Sequence, residues 1–469
     1  MYDDNKNFML FLFRDNYKSI SELSAKELRL GGLRIDPKTN IGSRVTYYNN
    51  VKIRNLQNQK SEITQVEGLP KNPKLSNISW SPNQKRIALT NTTETGVELW
   101  VLELESGSVT KLTEPNLNSN IGSVINWFAD SENMLVKMIS NNRKSLIDTN
   151  QIVPDGPTIS TNFGEKAQNR TYQDLLKNKF DEHNFEQLST SAIFKVSIDG
   201  SVKKWMDDGM YRTISFSPNG EYVMISQINK PFSYLVTYSR FPTETNVYSK
   251  DGNFISNLLN VPLIEELPKG FMSVRTGKRS FSWRPDKGAS LTYVTALDSG
   301  DPSKKVDFRD EVYELNYPFL GQGKFILKTI NRFSGIDWGT KDMAIAYDTW
   351  WNTRNRKSYV FNPSNPNIKP KIISDRNYQD TYSDPGVFLR SRNEFNRSVL
   401  KMHYGNVFLR GQGFSPNGQF PFIDKVNTKT FEKTRVYQSS YTDKIESIID
   451  YDPKKNQLTV SIESPSDFL

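Results

Sequence analysis

The chain has 469 residues, no cysteine and two histidines, with 36% hydrophobic and 12% aromatic residues; 61 Lys plus Arg against 52 Asp plus Glu leave a net charge of +9. The absence of cysteine excludes disulfides, thiolate metal sites and a cysteine nucleophile, while a mean hydropathy of −0.62 and the lack of any apolar run near the roughly 18 to 20 residues of a spanning helix exclude a membrane protein. Basic and acidic residues are interspersed without a run of like charge, which favours a solvated surface over a nucleic-acid footprint and leaves attraction to acidic substrates open.

In chain order, residues 1–7 have the wrong charge for a secretory n-region, and the apolar stretch 8–13 is too short for a usual h-region and lacks a small-residue cleavage site, so it reads as a strand that opens the fold. Gly31-Gly32 is an isolated glycine pair and reads as a turn. At 78–84 the sequence I-S-W-S-P-N-Q leads into the apolar run R-I-A-L-T, and at 214–220 I-S-F-S-P-N-G leads into Y-V-M-I-S. Each predicts a strand, a tight turn and a second strand, because proline fixes φ while Asn and Gly tolerate left-handed positions. Looser copies stand at 126–130, 281–286, 336–342 and 449–453, each with an aromatic residue just before or within the turn. A closer copy, G-F-S-P-N-G, lies at 413–418.

The aromatic positions 80, 127, 216, 283, 338 and 451 are 47 to 113 residues apart, which fits a blade period of roughly 40 to 50 residues stretched by insertions. Further strands at 97–102 and 192–196 supply the outer halves of such blades. The predicted fold is therefore all-β: a β-propeller of about seven four-stranded blades over 1–469, with eight as the alternative count and two stacked β-sandwiches as the alternative architecture. One stretch departs from the β rhythm. Tyr172, Leu175, Leu176 and Phe180 recur at helical spacing, with Asn169 or Thr171 as the cap, so a helical insertion is predicted over about 165–188.

The chemistry visible in the residues is mostly negative. Gly413-Phe414-Ser415-Pro416-Asn417-Gly418 is one residue short of the G-x-S-x-G elbow of a hydrolase serine: Asn417 stands where the second glycine belongs, and Pro416 has no N–H for an oxyanion hole. Ser415 thus reads as part of a blade turn. His183 and His403 lack the spacing of metal ligands, and no phosphate-binding or dinucleotide-binding glycine pattern is present; no metal or other cofactor is expected. The carboxylate pairs Asp181-Glu182 and Asp310-Glu311 read as solvated.

Longer segments bring a resemblance. E-L-R-L-G-G-L-R-I at 27–35, G-P-T-I-S at 156–160, A-Q-N-R-T-Y-Q-D-L-L at 167–176, F-S-W-R-P-D at 281–286, A-L-D-S-G-D-P at 296–302 and F-R-D-E-V-Y at 308–313 are similar to the non-catalytic propeller part of the prolyl oligopeptidase family of serine peptidases, in its glutamyl-endopeptidase-like branch of bacteria and plastids. The likeness spans nearly the whole chain. It implies a propeller that caps an α/β-hydrolase domain, restricts access to short or unfolded peptides and lends substrate contacts, with the Ser-Asp-His triad at the interface and cleavage after Glu.

Residue 469 falls near where such a propeller passes to the hydrolase domain, so the triad is expected beyond it and this chain is expected to be inactive alone. The start reads as cut too, because relatives of this kind carry more chain, including a targeting segment, before residue 8; a full-length bacterial relative would be periplasmic or otherwise exported. The simplest account is a propeller cut from a longer chain, and the rival is a free-standing propeller that binds peptide or protein without catalysis. The expected partners are a peptide substrate and the absent hydrolase domain, with no nucleic acid and no membrane. Contact with an acidic peptide calls for guanidinium groups, which fork onto carboxylates. Arg170 is the first candidate and Arg354 and Arg356 are the second, a structural ion pair being the alternative role for each.

Overall fold

The structure, a computed structural model, describes residues 1, 3, 7–58, 60–148 and 171–464. The described chain is nearly all-β, as predicted. It divides into two compact units, Met1–Glu266 and Leu267–Leu469.

In the first unit, sheet A has three strands, Phe8–Phe13, Asn50–Asn55 and Thr64–Gln65. Sheet B has four, Leu75–Trp80, Arg86–Thr92, Val97–Glu103 and Ser108–Lys111. Sheet C has seven, running from Ile125–Trp127 to Phe254–Val261 in chain order. Its 15-residue strand Val202–Phe216 pairs through its first half with Ser191–Ser197 and through its second with Tyr222–Ile228. The outer strand of one four-stranded set thereby continues as the inner strand of the next.

In the second unit, sheet D comprises Arg279–Trp283, Ser290–Ala296, Asp310–Asn316 and Lys324–Thr329, and sheet E comprises Arg332–Thr340, Met343–Trp350, Asn355–Phe361 and Lys371–Asn377. Sheet F is built on Asn406–Gly411, Phe422–Asn427 and Lys433–Gln438, and a hairpin of Ile445–Asp452 with Gln457–Glu463 follows.

Within each unit successive sheets stack face to face, which explains why the second strands read as unbroken apolar runs. Side chains alternate across a strand. Ile87 and Leu89 enter one core with Leu10, Val51 and Ile53 of sheet A, while Ala88 enters another with Trp127, Met134 and Val136 of sheet C. In the second unit Ala344 and Ala346 pack on Val294 and Val312 of sheet D, and Met343 and Ile345 pack on Val407 and Leu409 of sheet F. Burying each large aliphatic side chain contributes about 1.5–3 kcal/mol.

The repeated turn has a specific hub. Buried Ser217 donates its hydroxyl to Asn219 Oδ1 at 2.7 Å and accepts from the Tyr222 amide at 3.0 Å, and Ser81 does the same with Asn83 and Arg86. The turn ends in a left-handed residue, Gly220 at φ 76° or Gln84 at φ 59°. These turns also join neighbours: the Asn83 amide donates to Ser131 Oγ at 2.9 Å, the Trp127 indole to the Ser79 carbonyl at 3.2 Å, and a Cβ on Gly220 would stand 2.7 Å from that of Ala129.

Ser415 departs from the predicted register. Phe414–Ser415 pairs with Gly418–Gln419 in a small separate hairpin inside the connection between Asn406–Gly411 and Phe422–Asn427. The other copies join the first and second strands of a sheet; this one extends the link between later strands. Its hydroxyl only donates to the Gly418 carbonyl at 3.1 Å and accepts from the Asn417 amide at 3.2 Å, so local turn chemistry recurs here without the blade position.

The helical insertion also differs from the spacing. The helix spans Lys179–Ser189, capped by Asn178, whose side chain accepts from the Phe180 and Asp181 amides. Asp174 sits at φ 58°, outside helical backbone, so Tyr172, Leu175 and Leu176 lie in irregular chain ahead of the helix; residues 165–170 of the predicted insertion, including the proposed cap Asn169, lie outside the described residues. Leu176 still reaches the core of Phe185 and Leu188, which is why its apolar spacing looked helical.

Two stability measurements follow from these contacts. Ser217→Ala should cost about 1–2 kcal/mol in urea unfolding, since it removes a buried hydroxyl that bonds both the Tyr222 amide and the Asn219 side chain, whereas Ser415→Ala should stay within about 0.5 kcal/mol. Lys137, fully buried with its ammonium donating to the Ile121 carbonyl, has its pKa pushed down by burial to about 7. Between that value and its ordinary value of 10.5 the unfolded chain holds a proton that the folded chain does not, so stability rises with pH across the window. Lys137→Met should therefore raise the Tm at pH 7 and lose much of that advantage as pH climbs toward 10; an advantage constant in pH would contradict this account.

Candidate functional site

The elaborations of the fold share one topological position. In sheet C the helix lies between Asn133–Ile139 and Ser191–Ser197; in sheet D residues 297–309 join Ser290–Ala296 to Asp310–Asn316; in sheet E the tip 351–354 joins Met343–Trp350 to Asn355–Phe361. Each is the connection between the second and third strands of its four-stranded set, at the sheet end opposite the short turn between the first and second strands, because neighbouring strands are antiparallel.

Most of the segments that carry the family resemblance meet at such connections. The hairpin of Leu28–Leu30 and Leu33–Asp36 turns at Gly31-Gly32, as predicted. Its Gly32 amide donates to the Asp174 carbonyl at 2.8 Å, Arg34 pairs with the Asp174 carboxylate at 2.7 Å, and the Phe185 ring lies 3.4 Å from where a Gly31 Cβ would be.

In the second unit, A-L-D-S-G-D-P and F-R-D-E-V-Y supply a buried charge cluster: Asp298 accepts from Arg309 at 2.8 Å and Arg332 at 2.7 Å, while Asp310 accepts from Arg332 at 3.2 Å and forms an ion pair with Arg279 at 2.5 Å. Asp310 also accepts from the Phe333 amide at 2.8 Å, tying sheet D to sheet E. F-S-W-R-P-D supplies a second cluster, in which Arg284, 1% exposed, pairs with Asp286 and Glu314 and lies 4.0 Å from the Trp338 ring centre. Burial alone would raise the Glu314 carboxyl, but Lys287, Arg284 and Ser290 hold it below the ordinary carboxylate range.

A groove of about 980 Å³ opens between sheets E and F. Its lining includes the apolar Ile336, Ile373 and Leu409, and the charged residues Arg356, Lys371, Arg376, Arg390, Arg410 and Lys433 together with Asp337, Asp384 and Asp450. The carboxylates are engaged by other groups: Asp337 pairs with Arg390 and accepts from the Tyr347 hydroxyl at 2.8 Å, Asp384 lies 3.5 Å from Arg376, and Asp450 lies 2.7 Å from Lys401. Burial, and then Asp337 beside it, push the Tyr347 hydroxyl above its ordinary pKa. Among the described residues no carboxylate forms an ion pair with Arg356, Lys371 or Lys433. Arg356 lies over the Tyr347 ring at 4.8 Å and Lys371 over the Phe431 ring at 4.5 Å.

Comparison with known proteins now bears on the site. No protein-family model matches the chain. It is 33% identical over 467 residues to a probable chloroplastic glutamyl endopeptidase of Oryza sativa subsp. japonica and 30% identical to one of Arabidopsis thaliana, covering 96% of this chain in both cases. The chain is a relative of the glutamyl endopeptidases. It spans about half the length of these relatives, 50% and 48%. Among solved structures it is similar to a prolyl endopeptidase (TM-score 0.43, 11% identity, 94% of this chain and 54% of that one) and to the acylaminoacyl peptidase of Pyrococcus horikoshii (TM-score 0.37, 14% identity, 90% and 54%). The glutamyl-endopeptidase resemblance read in the residues therefore stands.

Of the three arginines singled out in the sequence, Arg356 lines the groove. Arg354 does not: at φ 54° it closes the tip of its hairpin, stacking on Trp351 at 3.9 Å and donating to that residue's carbonyl at 2.7 Å. Arg170 lies outside the described residues. The His183 Nε2–H donates to the Ser145 carbonyl at 2.9 Å, and His403 packs on Tyr404; among the described residues no group of three or more His, Cys, Asp or Glu could hold a metal ion. Sequence reasoning missed Lys371 and Lys433, which sit on separate outer strands and carry no local motif.

The buried cluster gives a direct test. Asp310→Ala leaves Arg279 and Arg332 buried without that carboxylate and should cost about 3–5 kcal/mol in urea unfolding; a loss under 1 kcal/mol would show that the cluster does not join sheets D and E.

Proposed function

We propose that this chain is the substrate-binding and gating propeller of a prolyl oligopeptidase-family serine peptidase, with catalysis supplied by an α/β-hydrolase domain outside this chain. The observation that carries the reading is the sequence match over 96% of the chain to glutamyl endopeptidases about twice its length. We read sheets A and B, the two halves of C, and D, E and F as seven blades, with the hairpin Ile445–Glu463 as the start of an eighth.

Support for the gating role comes from where the elaboration falls. Short turns join the first and second strands of sheet B, of both halves of sheet C and of sheets D and E, while the second-to-third connections carry most of the family-like segments. A partner domain docked on that end would meet loops held by buried charge, and such rigid edges can exclude folded polypeptides while admitting extended ones. Arg356 is the arginine we retain as a peptide contact.

The test replaces the matching half of the rice relative with this chain. The chimera should cleave an unstructured Glu-containing peptide and leave the same sequence intact within a folded protein, while this chain alone should not be labelled by a fluorophosphonate serine probe. Labelling of the isolated chain, or equal cleavage of folded and unfolded substrate by the chimera, would overturn the proposal.

A further inference from the structure

We infer that the groove between sheets E and F binds an extended acidic peptide segment through two carboxylates about four residues apart. The inference rests on the propeller being a peptide-handling part, and it names a site and a carboxylate spacing that the reading above leaves open.

The spacing comes from strand register. Arg356 lies opposite Arg376, and Val360 lies opposite Lys371, on the same pair of strands. Four residues of strand at about 3.3 Å each place the two cationic positions about 13 Å apart along the groove. An extended peptide has the same rise, so carboxylates at positions i and i+4 match it and fall on one face by the period of two.

The chemistry at each end is suited to carboxylate. At one end Arg356 is held over Tyr347, which orients the guanidinium without using its donors. At the other end Lys371 rests on Phe431, and Lys433 follows two residues later. Both ends are solvent-exposed, so an incoming carboxylate meets cations that need not first leave an internal partner. The groove's own carboxylates are engaged by Arg390, Tyr347, Arg376 and Lys401, and the apolar lining residues Ile336, Ile373 and Leu409 offer contacts to the side chains between the two acids. A phosphate backbone would not use those apolar side chains, which is why the lining favours peptide over nucleic acid.

Fluorescence anisotropy on the complete chain, with labelled nine-residue unstructured peptides, tests this. A peptide with Glu at i and i+4 should bind, each single Glu→Gln change should weaken binding about two- to fivefold, and added salt should weaken it further. Arg356→Met should remove the sensitivity to one Glu and a Lys371→Met, Lys433→Met double variant the sensitivity to the other. Equal binding of the double-Gln peptide, insensitivity to these variants, or equally tight binding of a single-stranded oligonucleotide of similar charge would overturn the inference. If a variant fails to fold, the Glu and Gln peptides on the unaltered chain still decide it. Because no hydrolase domain enters the measurement, failure of the chimera experiment leaves this result standing, and failure here leaves the gating proposal standing.

Discussion

The constraint on which the rest depends is that the central strands are covered on both faces. Ile87 and Leu89 point into one core and Ala88 into the next, so a substitution on either side of such a strand meets another sheet. No face is left for function. Variation is confined to the strand ends and to places where two sheets separate enough to leave a groove, and the structure uses both: long second-to-third connections at one end, and the opening between sheets E and F.

Buried charge is the price of fixing those elaborations. Arg284, Arg332, Asp298, Asp310 and Glu314 are all nearly or fully buried, and each is matched by an opposite charge at hydrogen-bonding distance. An apolar replacement could bring similar stability. What charge adds is direction: a carboxylate that must meet two guanidinium groups admits one arrangement of the loops that carry them. This explains why the family-like segments are rich in Arg and Asp although the groups are hidden from solvent. The segments hold shape, and Arg356, with no such carboxylate partner, is the different case.

Much of this was legible in the residues. The serine turns could be read because their chemistry is local: hydroxyl, Asn and left-handed residue lie within a few positions, and every copy before a second strand was found where expected. The same locality misled at Ser415, where the turn chemistry recurs in a side hairpin, because nothing within six residues says which two strands a turn joins. The helix was misplaced for a related reason. Tyr172 and Leu176 face the same core as the helix, and apolar spacing records burial rather than backbone shape.

The amino-acid sequence by itself determined the all-β class, the repeated turn, the glutamyl-endopeptidase likeness and the failure of Ser415 as a nucleophile, since each rests on contacts between near neighbours in the chain or on identity over long stretches. The tertiary structure alone decided which charges are paired. Arg354 and Arg356 are two residues apart and look alike in sequence; one stacks on its own hairpin tip and the other faces a groove beside Lys371 and Lys433. That difference arises from residues as much as 77 positions away, brought alongside only because sheet F packs against sheet E.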